Sequence, residues 1–131
     1  MAMQFHLKVV TPDRIFFEGD VDQLIVRGVE GDFAVLPNMS PFVTRVDIHR
    51  MKIFTDGKER IAAVHGGYID IRDDNVILVA NACEWPEEID IERAKLAKER
   101  AEKRLKDQSA YDTMRAEISL KKAINRINLK K

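Results

Sequence analysis

Five basic side chains in the C-terminal third of the chain are spaced so that they could bind an anion: Arg93, Arg100, Arg104, Lys122 and Arg126. If two helices carry them and pack antiparallel, Arg93 and Arg126 lie near the same end of the pair. Glu84 and Asp90 would add hydrogen-bond acceptors, and cations combined with acceptors are what a nucleotide requires. A solvated basic helix face explains the same spacing, and the residues alone leave both interpretations open.

The other chemistry-bearing residues form no catalytic pattern. The three histidines lack the spacing of metal ligands and are expected on strand surfaces: His6, His49 and His65. The single cysteine, Cys83, lies in no nucleophile elbow and is expected to be a small buried hydrophobe. Gly66-Gly67 is too short for a phosphate loop and indicates a bulge or a close backbone approach. We therefore expect no enzyme, no metal site and no required cofactor.

The elements that would position these residues change type near Trp85-Pro86. Before this pair, β-branched and aromatic runs alternate with turn residues; after it, residues 87–131 contain neither Gly nor Pro. The pattern predicts a mainly β domain over residues 1–86 and a helical arm over residues 87–131. About eight to ten short strands with frequent turns favour an antiparallel β-sandwich or barrel.

Within the β domain, two hairpin turns are predicted, at Asp56-Gly57 and at Asp73-Asp74-Asn75. Four of the predicted strands lie on either side of Asp56-Gly57 and are expected to be separate: Phe42–Asp47, Ile48–Thr55, Ile61–Val64 and Tyr68–Ile71.

The arm is predicted to form two helices joined by a turn at residues 107–109, with Asp90 as the N-cap of the first. Each helix has one apolar stripe, formed by Ile91, Ala94, Ala97, Ala101 and Leu105 in the first and by Ala116, Leu120, Ala123, Ile124 and Ile127 in the second. The two stripes predict an antiparallel hairpin of marginal stability. A second apolar patch lies on the back of the second helix: Tyr111, Met114 and Ile118. It either contacts the β domain or is buried in a second state of the arm.

Charge is divided unequally along the chain. Residues 1–88 carry nine Lys and Arg against fifteen Asp and Glu, whereas residues 89–131 carry thirteen against seven. The arm, at +6, is suited to dock on its own acidic body or on an acidic partner. Acidic residues alternate with the basic ones, which argues against nucleic acid. No run of about 18 apolar residues and no signal-peptide pattern is present, so we expect neither membrane insertion nor secretion.

The sequence resembles the epsilon subunit family of the F-type ATP synthase over nearly its whole length. The resemblance rests on five blocks in order: FHLKVVTPD (Phe5 to Asp13), GVEGDFAVLPNMSPF (Gly28 to Phe42), HGGYIDIRDDNVILVANAC (His65 to Cys83), IDIERA (Ile89 to Ala94) and RAEISLKKAINRI (Arg115 to Ile127). It implies an N-terminal β-sandwich with a C-terminal two-helix hairpin. It also implies a non-catalytic rotor subunit that joins the gamma stalk to the membrane ring and couples ion flow to ATP synthesis. The arm would inhibit ATP hydrolysis by extending into the alpha/beta hexamer.

The resemblance further implies two sites. Some members bind ATP through an I/L-D-x-x-R-A motif, which is present here as Ile89, Asp90, Arg93 and Ala94; the family's preceding acid matches Glu84 and its two late basic positions match Lys122 and Arg126. Lys122 stands where ATP-binding members usually have Arg, so the paired hydrogen bonds that a guanidinium donates to phosphate are lost.

The ring-facing loop of the family matches Glu30, Gly31 and Asp32 in this sequence, and Asn38-Met39 replaces a common Gly-His pair.

These implications place the chain at the cytoplasmic face of a bacterial membrane as a peripheral subunit, with ATP as a regulatory ligand. Its partners would be the gamma subunit, the ring subunits and the alpha/beta hexamer, and it would be a monomer in isolation. Two other classes remain open. A free-standing ATP-sensing module would bind ATP tightly by itself, and a helical adaptor would dimerise through residues 89–131.

Overall fold

The computed structural model describes the backbone of residues 3–106 and 110–130, and it leaves out the side chains of residues 106 and 110–113. The predicted turn at residues 107–109 and the side chain of Tyr111 therefore lie outside the described part. The chain divides into two compact units, residues 1–84 and residues 85–131.

The described residues of the first unit form eight strands: β1 (Phe5–Val10), β2 (Ile15–Val21), β3 (Gln23–Gly28), β4 (Gly31–Val35), β5 (Phe42–Thr55), β6 (Lys58–Arg72), β7 (Asn75–Ala80) and β8 (Cys83–Glu84). They follow the order β2-β1-β7-β6-β5-β3-β4, with β8 added to β6. The predicted β-sandwich is thus confirmed. One departure from antiparallel pairing is the parallel pair of β1 with β7.

The longest hairpin of the sandwich is built from β5 and β6, and here the sequence-based boundaries were wrong. Each pair of short strands predicted on either side of Asp56-Gly57 is one continuous strand of 14 or 15 residues. The first half of β5 pairs with the end of β6, which in turn pairs with β7, and the second half of β5 pairs with β3. Both strands therefore take part in both layers of the sandwich.

A pair of glycines lets β6 continue through the predicted break. The register is the same on both sides of the glycines, since Val46 lies opposite Gly67 and Ile48 lies opposite His65. Gly67 has a φ of 152°, and a Cβ there would overlap the carbonyl oxygen of Val79. The predicted close backbone approach is confirmed, and it requires glycine.

The predicted turns follow from residues that tolerate positive φ. Asp56 and Gly57 have φ of 50° and 78°, and Asp73 and Asp74 have φ of 47° and 61°. These values match the tight turns that connect β-hairpins with the right-handed strand twist. Between the layers lies a core of fully buried side chains, which includes Leu7, Leu24, Met51, Ile69 and Leu78.

In the second unit, the residues that the structure describes form a 3₁₀ turn (Pro86–Glu88) and two helices, α1 (Ile91–Lys106) and α2 (Ala110–Lys130), which pack on each other. The residues of the predicted stripes that are fully buried are alanines: Ala94, Ala101, Ala116 and Ala123. Each pair is seven residues apart, the spacing of a helix–helix seam, and alanine lets two helix backbones approach closely. Ile124, assigned to the stripe, is instead exposed.

Candidate functional site

The start of α1 is built by the predicted motif. Asp90 Oδ1 accepts a hydrogen bond of 3.2 Å from the backbone N–H of Arg93, and the Asp90 carbonyl accepts one of 3.0 Å from Ala94. Asp90 is therefore an N-cap, as predicted. Ile89 and Ala94 are buried, whereas the Arg93 side chain is exposed. The motif thus combines a capped helix start with a cation directed to solvent.

The end of α2 is tied to the segment that precedes α1. Lys130 Nζ donates a hydrogen bond of 2.8 Å to the carbonyl oxygen of Pro86. The helices are therefore antiparallel, and Arg126, one turn before Lys130, lies at the same end of the hairpin as Arg93. Lys122 and Arg126 are half-buried on α2.

Glu84 ends the first unit, and its carboxylate is engaged by a histidine. His65 Nε2 lies 3.1 Å from Glu84 Oε1, with the His65 side chain 0% exposed and that of Glu84 25% exposed. The expectation that His65 lies on a strand surface was wrong, because the register places it in β6 beside β8. The burial of His65 could not be predicted from an alternation of buried and exposed residues, since all four residues from Ala62 to His65 are buried.

His6 is on a strand surface, as predicted, and it bridges two carboxylates of the edge strand β2. Its Nε2 lies 3.0 Å from Glu18 Oε2 and its Nδ1 lies 3.1 Å from Asp20 Oδ1. These hydrogen bonds, that to Glu18 first, raise the pKa of His6 above its ordinary 6.5, and the same contact lowers the pKa of Glu18.

The predicted ring-facing loop is the tip of the β3–β4 hairpin. Val29 is 78% exposed there and Glu30 is exposed as well. Asp32 accepts a hydrogen bond of 2.9 Å from Arg27 Nε on the neighbouring strand, which lowers the pKa of the Asp32 carboxyl. Beside the tip lies an open cavity of about 630 Å³, and Met39 and Phe42 contribute to its lining.

A patch of apolar side chains covers the outer side of the layer formed by β2, β1, β7, β6 and β5. One cross-strand row contains Ile15, Val10, Val79 and Tyr68, in that order. The next row contains Ile77 and Val43, with Asp70 between them. Ile15, Val43, Tyr68 and Ile77 are exposed and Val10 is half-buried. We call these five residues the outer apolar face. Contiguous exposed apolar residues of this kind mark interaction sites on soluble proteins.

The described residues offer few groups for covalent chemistry. Cys83 is buried, and burial raises the pKa of its thiol to about 12, so it is not a nucleophile at neutral pH. In the described part of the chain, no three His, Cys, Asp or Glu side chains are grouped to hold a metal ion. No helix there is long and apolar enough to cross a bilayer.

Two family models together match residues 4–131. The model of the ATP synthase delta/epsilon chain β-sandwich domain matches residues 4–86, and that of the long α-helix domain matches residues 87–131. The chain is 46% identical over 132 residues to the ATP synthase epsilon chain of Alkaliphilus metalliredigens, covering 100% of this chain and 98% of the relative. It is 43% identical over 126 residues to that of Halalkalibacterium halodurans, covering 95% of each.

The fold is also found in solved assemblies. A chain of the Euglena gracilis mitochondrial ATP synthase (OSCP/F1/c-ring) superposes with a TM-score of 0.83 at 22% identity, covering 93% of this chain and 78% of the other. A chain of the Tetrahymena thermophila mitochondrial ATP synthase central stalk/c-ring superposes with a TM-score of 0.69 at 10% identity, covering 98% of each. At these identities the likeness shows the shared fold.

Proposed function

Because this chain belongs to the ATP synthase delta/epsilon-chain family, we propose that it acts as a non-catalytic rotor subunit that joins the gamma stalk to the membrane ring. In this role it couples ion translocation to ATP synthesis, and its helical arm restrains ATP hydrolysis. It is peripheral, at the cytoplasmic face of a bacterial membrane. The single observation that carries the proposal is the outer apolar face, because a contiguous group of exposed apolar side chains marks a surface that a partner covers.

We assign the outer apolar face to the gamma stalk. Tyr68 is 48% exposed in the middle of the sheet, and aromatic side chains of this kind anchor protein interfaces. Arg45, opposite Tyr68 in the register, and Lys8, opposite Glu18, supply a charged rim. A chain with this fold belongs to a central stalk/c-ring assembly in Tetrahymena thermophila, and we take a stalk subunit as the occupant here as well.

The tip of the β3–β4 hairpin is assigned to the membrane ring. Its exposed Val29 and Glu30 present one apolar and one anionic group, while Asp32 is held by Arg27 in its own hairpin. A short hairpin stiffened by a cross-strand ion pair is suited to transmit torque through contact with the polar loops of a ring.

The arm is proposed to regulate hydrolysis by exchanging its hairpin for an extended state. Met114 and Ile118 form an exposed apolar patch on α2, with Met114 at 70% exposure, and the alanine seam buries little apolar area. An extended arm would bury this patch against the alpha/beta hexamer, while its net charge of +6 would meet acidic helices there. The hairpin buries the alanine seam and the extended arm buries the apolar patch, so each state is stabilised by contacts that the other lacks.

ATP is proposed as the regulatory ligand of the hairpin. Arg93, Lys122 and Arg126 would bind its phosphates, Asp90 would accept from its base or sugar, and Ile89 and Ala94 would hold the helix start that orders them. Binding only to the closed hairpin would shift the arm away from its inhibitory state.

Binding to purified F1 lacking this subunit tests the rotor assignment. We expect a stoichiometric complex with the gamma subunit, weakened about tenfold or more by Tyr68→Asp, because a desolvated aromatic anchor typically contributes more than 1 kcal/mol. Lys58→Glu, at the exposed tip of the β5–β6 hairpin, is the matched control. A chain that binds ATP tightly but never binds gamma would be an ATP-sensing module, and a dimer that needs residues 89–131 would be an adaptor.

A further inference from the structure

The loop between β4 and β5, residues 36–41, is tied to the turn between β6 and β7 by one side chain. The backbone N–H of Asn38 donates a hydrogen bond of 2.7 Å to Asp74 Oδ1. The two residues are 36 positions apart in the chain, so this bond joins two connections that only the fold of the sandwich brings together.

The backbone of Asp74 is fixed on two sides. Its carbonyl oxygen accepts a hydrogen bond of 2.8 Å from the backbone N–H of His6 in β1. With Asp73 it forms the tight turn of the β6–β7 hairpin, in which both residues have a positive φ. Asp74 is also half-buried, so its carboxylate is a defined point from which a neighbouring loop can be held.

The β4–β5 loop is organised through side chains. The backbone N–H of Leu36 donates a hydrogen bond of 3.1 Å to Met39 Sδ. Asn38 follows Pro37 and has a φ of 64°, and these are the features of a type II turn. A thioether sulfur is a weak acceptor, whereas a carboxylate is a strong one. The contact with Asp74 is therefore the stronger of the two and sets the position of the loop.

The same loop lies beside the tip of the β3–β4 hairpin. Met39 and the tip residues Val29 and Glu30 line one open cavity of about 630 Å³. Phe33 and Phe42 line it too, and their aromatic rings meet edge to face with centroids 5.9 Å apart. We call the hairpin tip and the β4–β5 loop together the end surface. It combines exposed apolar side chains with an acidic one, since Val29, Phe42 and Glu30 are all exposed.

We propose that Asp74 is a positioning residue for the end surface, holding the β4–β5 loop in the place where Met39 takes part in binding the membrane ring. The inference rests on the ring contact proposed above for the hairpin tip. A loop that is ordered before its partner arrives has less conformational freedom to lose on binding, which corresponds to about a two- to tenfold gain in affinity.

Three variants of the full chain isolate this hydrogen bond. Asp74→Gly removes the acceptor but accepts the positive φ, and Asp-Gly is itself a favoured hairpin turn, so the variant should fold. Asp74→Asn keeps an oxygen acceptor at the same place and also tolerates the positive φ. Asp73→Gly is the matched control, because it makes the same change at the neighbouring, exposed residue of the turn.

Amide hydrogen exchange of the chain, followed by NMR, reports the order of the loop. Titration of the complex of the chain and the gamma subunit with detergent-purified membrane ring reports binding. In Asp74→Gly the Asn38 amide should exchange about tenfold faster or more, because a hydrogen bond to a charged group is lost. The affinity for the ring should fall about two- to tenfold in Asp74→Gly and stay within about twofold in Asp74→Asn and Asp73→Gly.

Two outcomes separate this inference from the proposal on which it rests. A ring affinity that is the same in Asp74→Gly as in the unmodified chain would overturn the inference alone, whatever the exchange rate of the Asn38 amide. If the complex with the unmodified chain binds the ring no more tightly than the gamma subunit does by itself, the ring contact proposed for the hairpin tip is wrong, and this inference with it.

Discussion

Lys130 Nζ donates a hydrogen bond of 2.8 Å to the carbonyl oxygen of Pro86, and so ties the last turn of α2 to the segment just before α1. The helical hairpin is closed at this end by a polar contact and along its length by an alanine seam. Neither contributes much free energy, since one exposed hydrogen bond is worth about 0.5–1.5 kcal/mol and an alanine buries a single methyl group. A hairpin held in this way can open at moderate cost.

Overpacking the seam should open the hairpin. Ala123 is 0% exposed, and Ala123→Leu would force the helices apart at a cost of about 1–3 kcal/mol. We expect faster amide hydrogen exchange in α1 and α2, with the exchange of β1 and β7 unchanged. Glu99→Leu adds an apolar side chain at an exposed position of α1 and should leave exchange in both helices as it was. Equal protection in the two variants would show that the seam does not hold the hairpin.

Asp90 has a structural role that can be separated from its proposed contact with ATP. Asp90→Ala removes the N-cap and should destabilise α1 by about 0.5–2 kcal/mol. Asp90→Asn keeps an acceptor for the Arg93 N–H, so helicity by circular dichroism should change little. If ATP affinity follows helicity in both variants, Asp90 acts only as a cap. A loss of affinity in Asp90→Asn with helicity retained would place its charge in the site.

Arg93 is expected to be the main cationic contact of the nucleotide. Arg93→Ala should lower ATP affinity about tenfold to hundredfold, because hydrogen bonds to charged groups contribute about 1.5–3 kcal/mol each. Lys122→Arg should tighten binding by restoring a planar fork. Isothermal titration of the isolated chain with ATP measures the affinities of both variants, and Lys103→Ala, at an exposed lysine of α1, is the control. Binding that survives Arg93→Ala would mean that the site lies elsewhere.

The His6 bridge predicts a pH dependence of stability. The pKa of His6 is raised in the folded chain, so its contribution is fully present below about pH 6.5, its ordinary value, and is lost as the pH rises through the raised value. The pKa of Glu18 is lowered, so its contribution is present above about 4.5 and is lost as the pH falls through the lowered value.

Urea unfolding and the NMR titration of the His6 ring at several pH values measure this effect. The double variant Glu18→Gln, Asp20→Asn should bring the His6 pKa back toward 6.5 and remove the loss of stability on the alkaline side. An unchanged His6 titration in the double variant would show that the two contacts do not exist in solution.

Gly67 should tolerate no side chain. Gly67→Ala combines a strained positive φ with an overlap on Val79, and we expect a loss of unfolding free energy of at least about 1–3 kcal/mol. Gly19→Ala, whose Cβ would meet only the Phe17 ring at 3.6 Å, should remain within about 1 kcal/mol of the unmodified chain. Equal stabilities by urea unfolding would indicate that β6 and β7 shift apart at low cost.

Features that depend only on neighbours in the chain could be predicted from the amino-acid sequence. Asp56-Gly57 and Asp73-Asp74 fold into turns because these residues accept positive φ, and Asp90 caps α1 because its carboxylate reaches the N–H three residues on. The change of pattern at Trp85-Pro86 likewise follows from local propensity, since β-branched and aromatic runs give way to helix-forming residues.

Contacts between groups that are distant in the chain could not be predicted in this way. The continuous β5 and β6, the parallel pairing of β1 with β7 and the partners of His65 and Asp32 all depend on strand register. Register is set by burial across the whole sandwich, and a single strand's alternation does not reveal which neighbour it will face. Gly66-Gly67 indicated either a bulge or a close backbone approach, and the structure shows the close approach, because the register of β6 with its neighbours is the same on both sides of the two glycines.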